Sequence, residues 1–417
     1  MKILFLTDNY PPETNAAASR VHERARYWVE WGHDVTVLTS VPNKNAGKPY
    51  EGYKNKWYQT EEMDGIKVVR VKTFIAKNEG FALRILDYIS YMVSSFMFGL
   101  FRKRPDVIVA TSPPFLTTVS GCMLSKFRWR PWVFELADLW PESIVEMGVM
   151  DKNWFVRSLE ALELYMYRHS ARVVTLSPGY DQNLIERGIP PEQCTTILNG
   201  VDARVFTPQP PDPQLIEELG LEGKFVITYI GNIAPSQAVD TIVRAAAELT
   251  EIPDIHFVIV GFGPDMEMCL ALAEELGTSN VTFTGMKPKS DMPRYWSITD
   301  LSIVHLKNVK LMTRAIPSKI FEAMGCGKPM VFGAPDGNAR DIVRESGAGL
   351  TFGGQAPEEM AAAISELYHD RDKLQELADN SLKAAPLHTR ERQAEKFIQV
   401  LEEINPVPSA HESGSES

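Results

Sequence analysis

The 417-residue chain has only four cysteines, and Cys122, Cys194, Cys269 and Cys326 stand singly, with no CxxC pair. That spacing excludes a disulfide framework or a thiolate metal site and suits free thiols in a reducing cytoplasm. His22, His169, His256 and His305 show no ligand spacing either, so they read as packing or surface residues. Cationic charge is in short supply: 43 Lys and Arg face 54 Asp and Glu, a net charge of −11. A nucleic-acid binder needs a basic footprint, which this balance does not provide. The first residues, MKILFLT, reach Asp8 too soon for a signal peptide and read as a strand. Glycine is missing from the loop that follows, PPETNAAASR, where a phosphate-cradling turn usually carries it.

What is present is alternation. Ile3–Thr7, Asp34–Leu38, Lys67–Val71, Val107–Ala110, Trp132–Leu136 and Arg172–Leu176 are short β-rich runs, with helical stretches such as Ala17–Gly32 between several of them. A second series comprises Phe225–Ile230, His256–Val260, Val281–Thr284, Leu301–Val304, Pro329–Phe332 and Gly349–Thr351, with helices over Val239–Leu249 and Asp265–Leu276. Strands alternating with helices predict parallel sheets covered on both faces. The proline-rich FTPQPPD at 206–212 is the best linker. The expected architecture is α/β: two doubly wound domains facing across a cleft, at 1–205 and 206–389. A helix over Arg390–Ile404 is expected to cross back onto the first domain, followed by a disordered tail at 405–417.

The longest apolar run, Ile85–Phe101, contains Asp87 and is followed by Arg102, Lys103 and Arg104. Seventeen residues is at the lower limit for a membrane span. A core-facing helix and an interfacial helix with its cations on anionic headgroups both fit the pattern. Asp370-Arg-Asp372 has the letters of a metal-binding pair but lies in a charged late helix, so it reads as solvated and no metal is implied. Arg294, Tyr295 and Trp296 form a helix face to which the sequence assigns no role.

The stretch richest in chemistry is AIPSKIFEAMGCGKPMV, residues 315–331. Pro317 and Ser318 start a helix with Ser318 as its natural N-cap, and Gly325-Cys326-Gly327 ends it. The free N–H groups and dipole of a helix start suit a diphosphate. Lys319 adds a cation, and Glu322, one turn on, is placed to accept from a ribose diol. The same letters also describe a capped surface helix with solvated Lys and Glu. Residues alone leave both readings open.

PSKIFEAMGCGKP resembles the nucleotide-sugar signature of glycosyltransferase family 4, whose members have the two-domain GT-B fold. Asn199-Gly200-Val201-Asp202 resembles the family's turn closing the first domain, and Tyr229–Ala234 the strand and loop opening the second. Val258–Gly263 and Phe283–Gly285 are similar to its later strand ends. Asp138–Ser143 (DLWPES), PSKIFE and the Gln237 loop resemble the WbuB-like subgroup, which transfers N-acetyl-L-fucosamine and related 6-deoxy amino sugars in bacterial surface polysaccharide synthesis.

On this resemblance the donor side comprises Gly231, Asn232, Gln237, Gly261, Gly263, Met286, Arg314, Pro317, Ser318, Lys319 and Glu322. The acceptor side comprises Glu13, Asn15, Ala16, Arg20, Trp140 and Glu142. Asp138, Lys319 and Glu322 are the expected catalytic residues, with Asp138 near the reacting sugar and Glu135 on the opposite face of its strand. Arg20 is expected to begin the helix behind the opening loop and to reach a phosphate. Three departures stand out. Arg314 replaces the first glutamate of the family's E-x7-E pair, Asn232 and Gln237 replace a loop Arg and Lys, and Ala238 replaces a Gly.

The resemblance implies a metal-independent retaining glycosyltransferase without a cofactor. It would move a sugar from a UDP-sugar to a polyprenyl diphosphate-linked saccharide, in the cytoplasm or peripherally at the inner face of the plasma membrane. The departing diphosphate oxygen would help to deprotonate the acceptor hydroxyl. A UDP-sugar epimerase of the same fold and a non-catalytic sugar-nucleotide-binding protein are the alternatives. Turnover of donor without acceptor separates the first, and binding without turnover the second.

Overall fold

Strands such as VIVATS and FVITYI, buried at every position, have no polar face to offer water and so must be covered on both sides. The computed structural model, which describes residues 1–43, 47–75, 81–146 and 151–405, arranges them as two compact units. Nearly all of the expected tail lies outside the described residues.

The first unit holds Met1–Ile197 and the chain from Glu391 onward. In order it contains β1 (Lys2–Leu6), α1 (Ala16–Glu30), β2 (Asp34–Ser40), β3 (Tyr58–Met63), β4 (Ile66–Val71), α2 (Phe81–Leu100) and β5 (Val107–Ser112). It continues with α3 (Phe115–Arg128), β6 (Trp132–Leu136), α4 (Glu142–Glu146), α5 (Trp154–Arg168), β7 (Arg172–Thr175), α6 (Pro178–Glu186) and β8 (Cys194–Thr196). The eight-stranded sheet has the order β3-β4-β2-β1-β5-β6-β7-β8.

One strand corrects the parallel expectation. β3 runs antiparallel to β4, joined by Asp64-Gly65, both at positive φ as a type I′ hairpin turn requires. Its sequence, YQTEEM, alternates on a half-exposed edge and so lacks the apolar signature of its neighbours. The helix after the opening loop also starts earlier than expected, at Ala16.

The second unit holds Leu198–Arg390. It comprises α7 (Pro213–Leu219), β9 (Phe225–Ile230), α8 (Asp240–Glu248), β10 (Ile255–Val260), α9 (Met266–Glu275), β11 (Val281–Gly285), α10 (Met292–Ser297) and β12 (Leu301–His305). Then follow α11 (Lys319–Gly325), β13 (Met330–Gly333), α12 (Asn338–Ser346), β14 (Gly349–Phe352), α13 (Pro357–His369) and α14 (Arg371–Ala384). The six strands are all parallel, in the order β11-β10-β9-β12-β13-β14.

The break falls after Ile197, earlier than the expected 205, so the Asn199–Asp202 turn opens the second unit rather than closing the first. Two backbone bonds fix it there: Val201 N–H donates to His388 O at 2.9 Å, and Arg390 N–H to Val201 O at 2.8 Å. Gly200 is required, since a Cβ would sit 2.5 Å from His388 O.

The last helix, α15 (Arg390–Ile404), belongs to the first unit apart from its first residue. Ala394, Phe397 and Leu401 are fully buried against Val21, Ala25 and Trp28 of α1 in one core cluster. Trp28 Nε1 donates to Ala394 O at 3.0 Å, and its ring lies 5.4 Å from Phe397. Phe397→Ala therefore removes a buried ring from this core. Denaturant unfolding is expected to show about 3–5 kcal/mol of destabilisation; a change within error would contradict this packing.

Candidate active site

In doubly wound sheets, ligands bind where the strand order reverses, beyond the carboxyl ends of the strands. In the second unit that point lies between β9 and β12. The loop after β9 carries Gly231, Asn232 and Gln237, the loop after β12 leads to Arg314, and α11 begins at Lys319.

Lys319 is the centre of this arrangement. Its Nζ donates to Gln237 Oε1 at 2.8 Å and lies 4.1 Å from the centroid of the Tyr229 ring. No carboxylate of the described residues is within ion-pair distance, and Glu322 on the next turn acts on it only through its field. Burial dominates and lowers the ammonium to about 7. Gly231, at φ +156°, makes the room, because a Cβ there would meet Nζ at 2.7 Å.

Two residues without an expected site role, Tyr229 and His305, hold Gln237 and Lys319 in place. Tyr229 is buried, and its hydroxyl donates to Asn232 O at 2.7 Å. His305, the last residue of β12, is fully buried between two loops. Gln355 N–H donates to its Nε2 at 3.0 Å, so the ring proton sits on Nδ1 and is donated to Gln237 O at 2.8 Å. Burial lowers its pKa and keeps the ring neutral, as this pairing needs. A polar residue closing an apolar strand at the switch point was the available signal.

The other expected donor residues divide into two groups. Gly261 and Gly263 are explained by backbone packing: a Cβ would lie 1.8 Å from Gly231 O in one and 2.1 Å from Ile233 O in the other. They shape the β9 loop rather than face open space. Arg314, Pro317, Ser318 and Glu322 are half-buried around the start of α11, while Asn232 and Met286 are exposed beyond β9 and β11. Ser318 corrects the capping expectation, because its backbone is helical and its side chain makes no capping bond.

In the first unit, several expected acceptor residues are engaged by the fold itself. Asn15 caps α1, accepting from Ala18 N–H at 3.0 Å and donating to Asn9 Oδ1 at 3.3 Å. Glu13 Oε1 accepts from Asn43 N–H at 3.1 Å, and Ala16 is exposed at the start of α1. Arg20 does not begin the helix. It lies one turn inside, 6% exposed, with Nε 3.4 Å from Glu135 Oε1. Arg24 joins the same carboxylate at 2.8 Å; burial would raise Glu135, but the two guanidiniums hold it below its usual range.

Asp138 sits beyond β6, half-buried, and burial raises its carboxyl to about 6 against hydrogen bonds from Leu139 N–H and Ser143. Trp140 stacks on Phe115 at 4.8 Å, and Glu142 accepts from Asn183 Nδ2 at 3.2 Å. Among the described residues no cluster of three or more His, Cys, Asp or Glu is placed to hold a metal. Asp370 instead caps α14, accepting from Lys373 N–H at 2.9 Å, and Arg294 pairs with Asp212 of the proline-rich linker at 2.5 Å.

Comparison with known proteins decides the class. Residues 15–200 match the glycosyl transferase 4-like domain, and residues 212–384 match glycosyl transferases group 1. The chain is a GT-B glycosyltransferase. It is 25% identical over 335 residues to the putative colanic acid biosynthesis glycosyl transferase WcaI of Escherichia coli, covering 78% of this chain and 82% of that protein. It is 29% identical over 232 residues to the D-inositol 3-phosphate glycosyltransferase of Thermobispora bispora, where it spans about half the length of each chain. Anabaena Alr3699/HepE, solved with UDP and glucose, shares the fold at a TM-score of 0.73 and 18% identity, covering 96% of this chain and 99% of that one.

Ala238, where the family pattern places glycine, has φ +43° and is buried. An L-residue there costs about 1–2 kcal/mol, partly offset by glycine's freedom in the unfolded chain. Ala238→Gly in this glycosyltransferase is expected to stabilise by up to about 1 kcal/mol, raising the thermal midpoint. A lowered midpoint would contradict the observed loop conformation.

Proposed function

We propose that this glycosyltransferase is retaining and metal-independent, needs no cofactor, and moves a sugar from a UDP-sugar to a lipid-linked saccharide in bacterial surface polysaccharide synthesis. The sugar is an N-acetylated 6-deoxy amino sugar such as N-acetylfucosamine, as the WbuB-like motifs suggest. The relative named for colanic acid biosynthesis and the UDP-bound neighbour support the class of reaction and donor. The second unit takes the donor and the first the acceptor, peripherally at the membrane surface.

One observation carries the reading: an ammonium held at the switch point of a doubly wound sheet without an ion-pair partner among the described residues. A diphosphate supplies the missing anion. Lys319 binds it, assisted by Arg314 and the N–H groups at the start of α11. Glu322 accepts from hydroxyls of the donor, Asn232 and Met286 border the base or sugar, and the leaving diphosphate receives the acceptor proton. Asp138, with its raised pKa, positions the acceptor or donor hydroxyl near the developing oxocarbenium charge.

The sign of the pH dependence follows. The free ammonium titrates near 7, below its usual value, and a bound diphosphate favours its charged form. UDP binding at about pH 8 therefore takes up nearly one proton, and affinity falls as pH rises above about 7. Calorimetry in two buffers of different ionisation enthalpy measures this uptake, and Lys319→Gln abolishes it. Glu322→Ala is expected to lower transfer by about a hundredfold or more. Unchanged transfer together with no proton uptake would overturn the assignment.

A further inference from the structure

The apolar helix α2 faces two ways. Tyr91, Ser95 and Gly99 recur every four residues and are buried. Ser95 Oγ donates to Ser120 Oγ at 2.9 Å, and Gly99 closes against Leu124 of α3. Ile89, Val93, Met97 and Phe101 recur every four residues on another side and are exposed, Phe101 by 75%. No described helix is long and apolar enough to cross a membrane.

The exposed stripe continues onto the end of α3. Phe96 of α2 packs edge-on against Phe127 at 5.3 Å, and Arg128 donates to Leu100 O and to Arg102 O, the latter at 2.8 Å. The two helix ends therefore present one surface, on which Phe127 is 65% and Trp129 84% exposed. Trp129 also has φ +54° at the C-cap of α3, a position that favours glycine or asparagine. A bulky ring held there in water gains nothing for the fold.

Charge on this surface opposes that of the chain. Between residues 88 and 134, Arg102, Lys103, Arg104, Lys126, Arg128 and Arg130 face a single carboxylate, Asp106, in a protein of net charge −11. Asp106 itself accepts from Lys2 N–H at 2.7 Å. Exposed aromatics beside cations fit an anionic lipid surface, with rings at the headgroup boundary and cations at the phosphates.

We propose that Phe101–Arg104 and Phe127–Arg130 together form the element that seats the first unit on an anionic bilayer. This deepens the peripheral-membrane part of the proposed function and moves the contact from α2 alone to the paired ends of α2 and α3.

Cosedimentation of the full chain with phosphatidylcholine vesicles, with or without about 30 mol% phosphatidylglycerol, tests it. The wild type is expected to bind the anionic vesicles and lose binding at high salt. The pair Phe127→Ser, Trp129→Ser and the pair Lys103→Glu, Arg104→Glu should each weaken binding about tenfold or more, while Leu387→Ser, at an exposed position of the second unit, changes nothing. Absence of wild-type binding, or undiminished binding by both pairs, overturns the proposal. So does a dimer seen by light scattering and lost in the aromatic pair, because a second copy would then cover this face. UDP binding by the same proteins is a separate readout: vesicle binding without nucleotide binding rejects the donor reading alone, and the reverse rejects this one.

Discussion

Among the described residues the ammonium of Lys319 has no ion-pair partner, and the elements of the second unit hold it in that position. Gly231 gives it space, the Tyr229 ring lies beneath it, and Gln237 accepts one of its protons. His305, neutral and bonded on both ring nitrogens, fixes Gln237 by its backbone. A cation in this setting is unfavourable, as its lowered pKa records. On the proposed function, an arriving diphosphate offsets this cost, and the site is then selective for an anionic ligand.

The first unit treats its buried charges in the opposite way. Arg20 and Arg24 converge on Glu135 within the core, where the one carboxylate is shared between the two guanidiniums. Removing Glu135 would strand buried guanidiniums, so the carboxylate holds the group together as part of the fold. The opening loop has the same character. Asn15 caps α1, Glu13 binds Asn43, and Asp8 O accepts from Ser40 at 2.7 Å. With the Asn15 and Glu13 side chains committed to the fold and no glycine to admit a ligand to the backbone, we read the loop as a shaped wall rather than a diphosphate cradle.

Most of the fold was legible in the sequence because parallel strands buried on both faces must be apolar throughout, as VIVATS and FVITYI are. β3 was missed because an edge strand keeps a polar face, although Asp64-Gly65 announced its turn. Proline-rich FTPQPPD looks like a linker, whereas the backbone pairing of Val201 with residues far along the chain, which groups 198–205 with the second unit, cannot be read locally. At the site, Lys319 and Gln237 were legible as positions but not as a bonded pair. Their contact depends on β9 and α11 meeting across the sheet. Gly261 and Gly263 looked like ligand-facing glycines, and only three-dimensional packing shows that neighbouring carbonyls need their space.

The measurement that tests this account most directly is an exchange of the bonded pair. The functional ends of residues 237 and 319 lie 2.8 Å apart, so a lysine entering from either position brings its ammonium to nearly the same point. Calorimetric UDP affinity should fall roughly ten- to hundredfold in Lys319→Gln, as expected for loss of a charge-assisted bond, and recover most of that loss when Gln237→Lys is added. Undiminished affinity in Lys319→Gln, or no recovery in the double variant, would contradict the claim that this ammonium, at this point, is what the donor diphosphate binds.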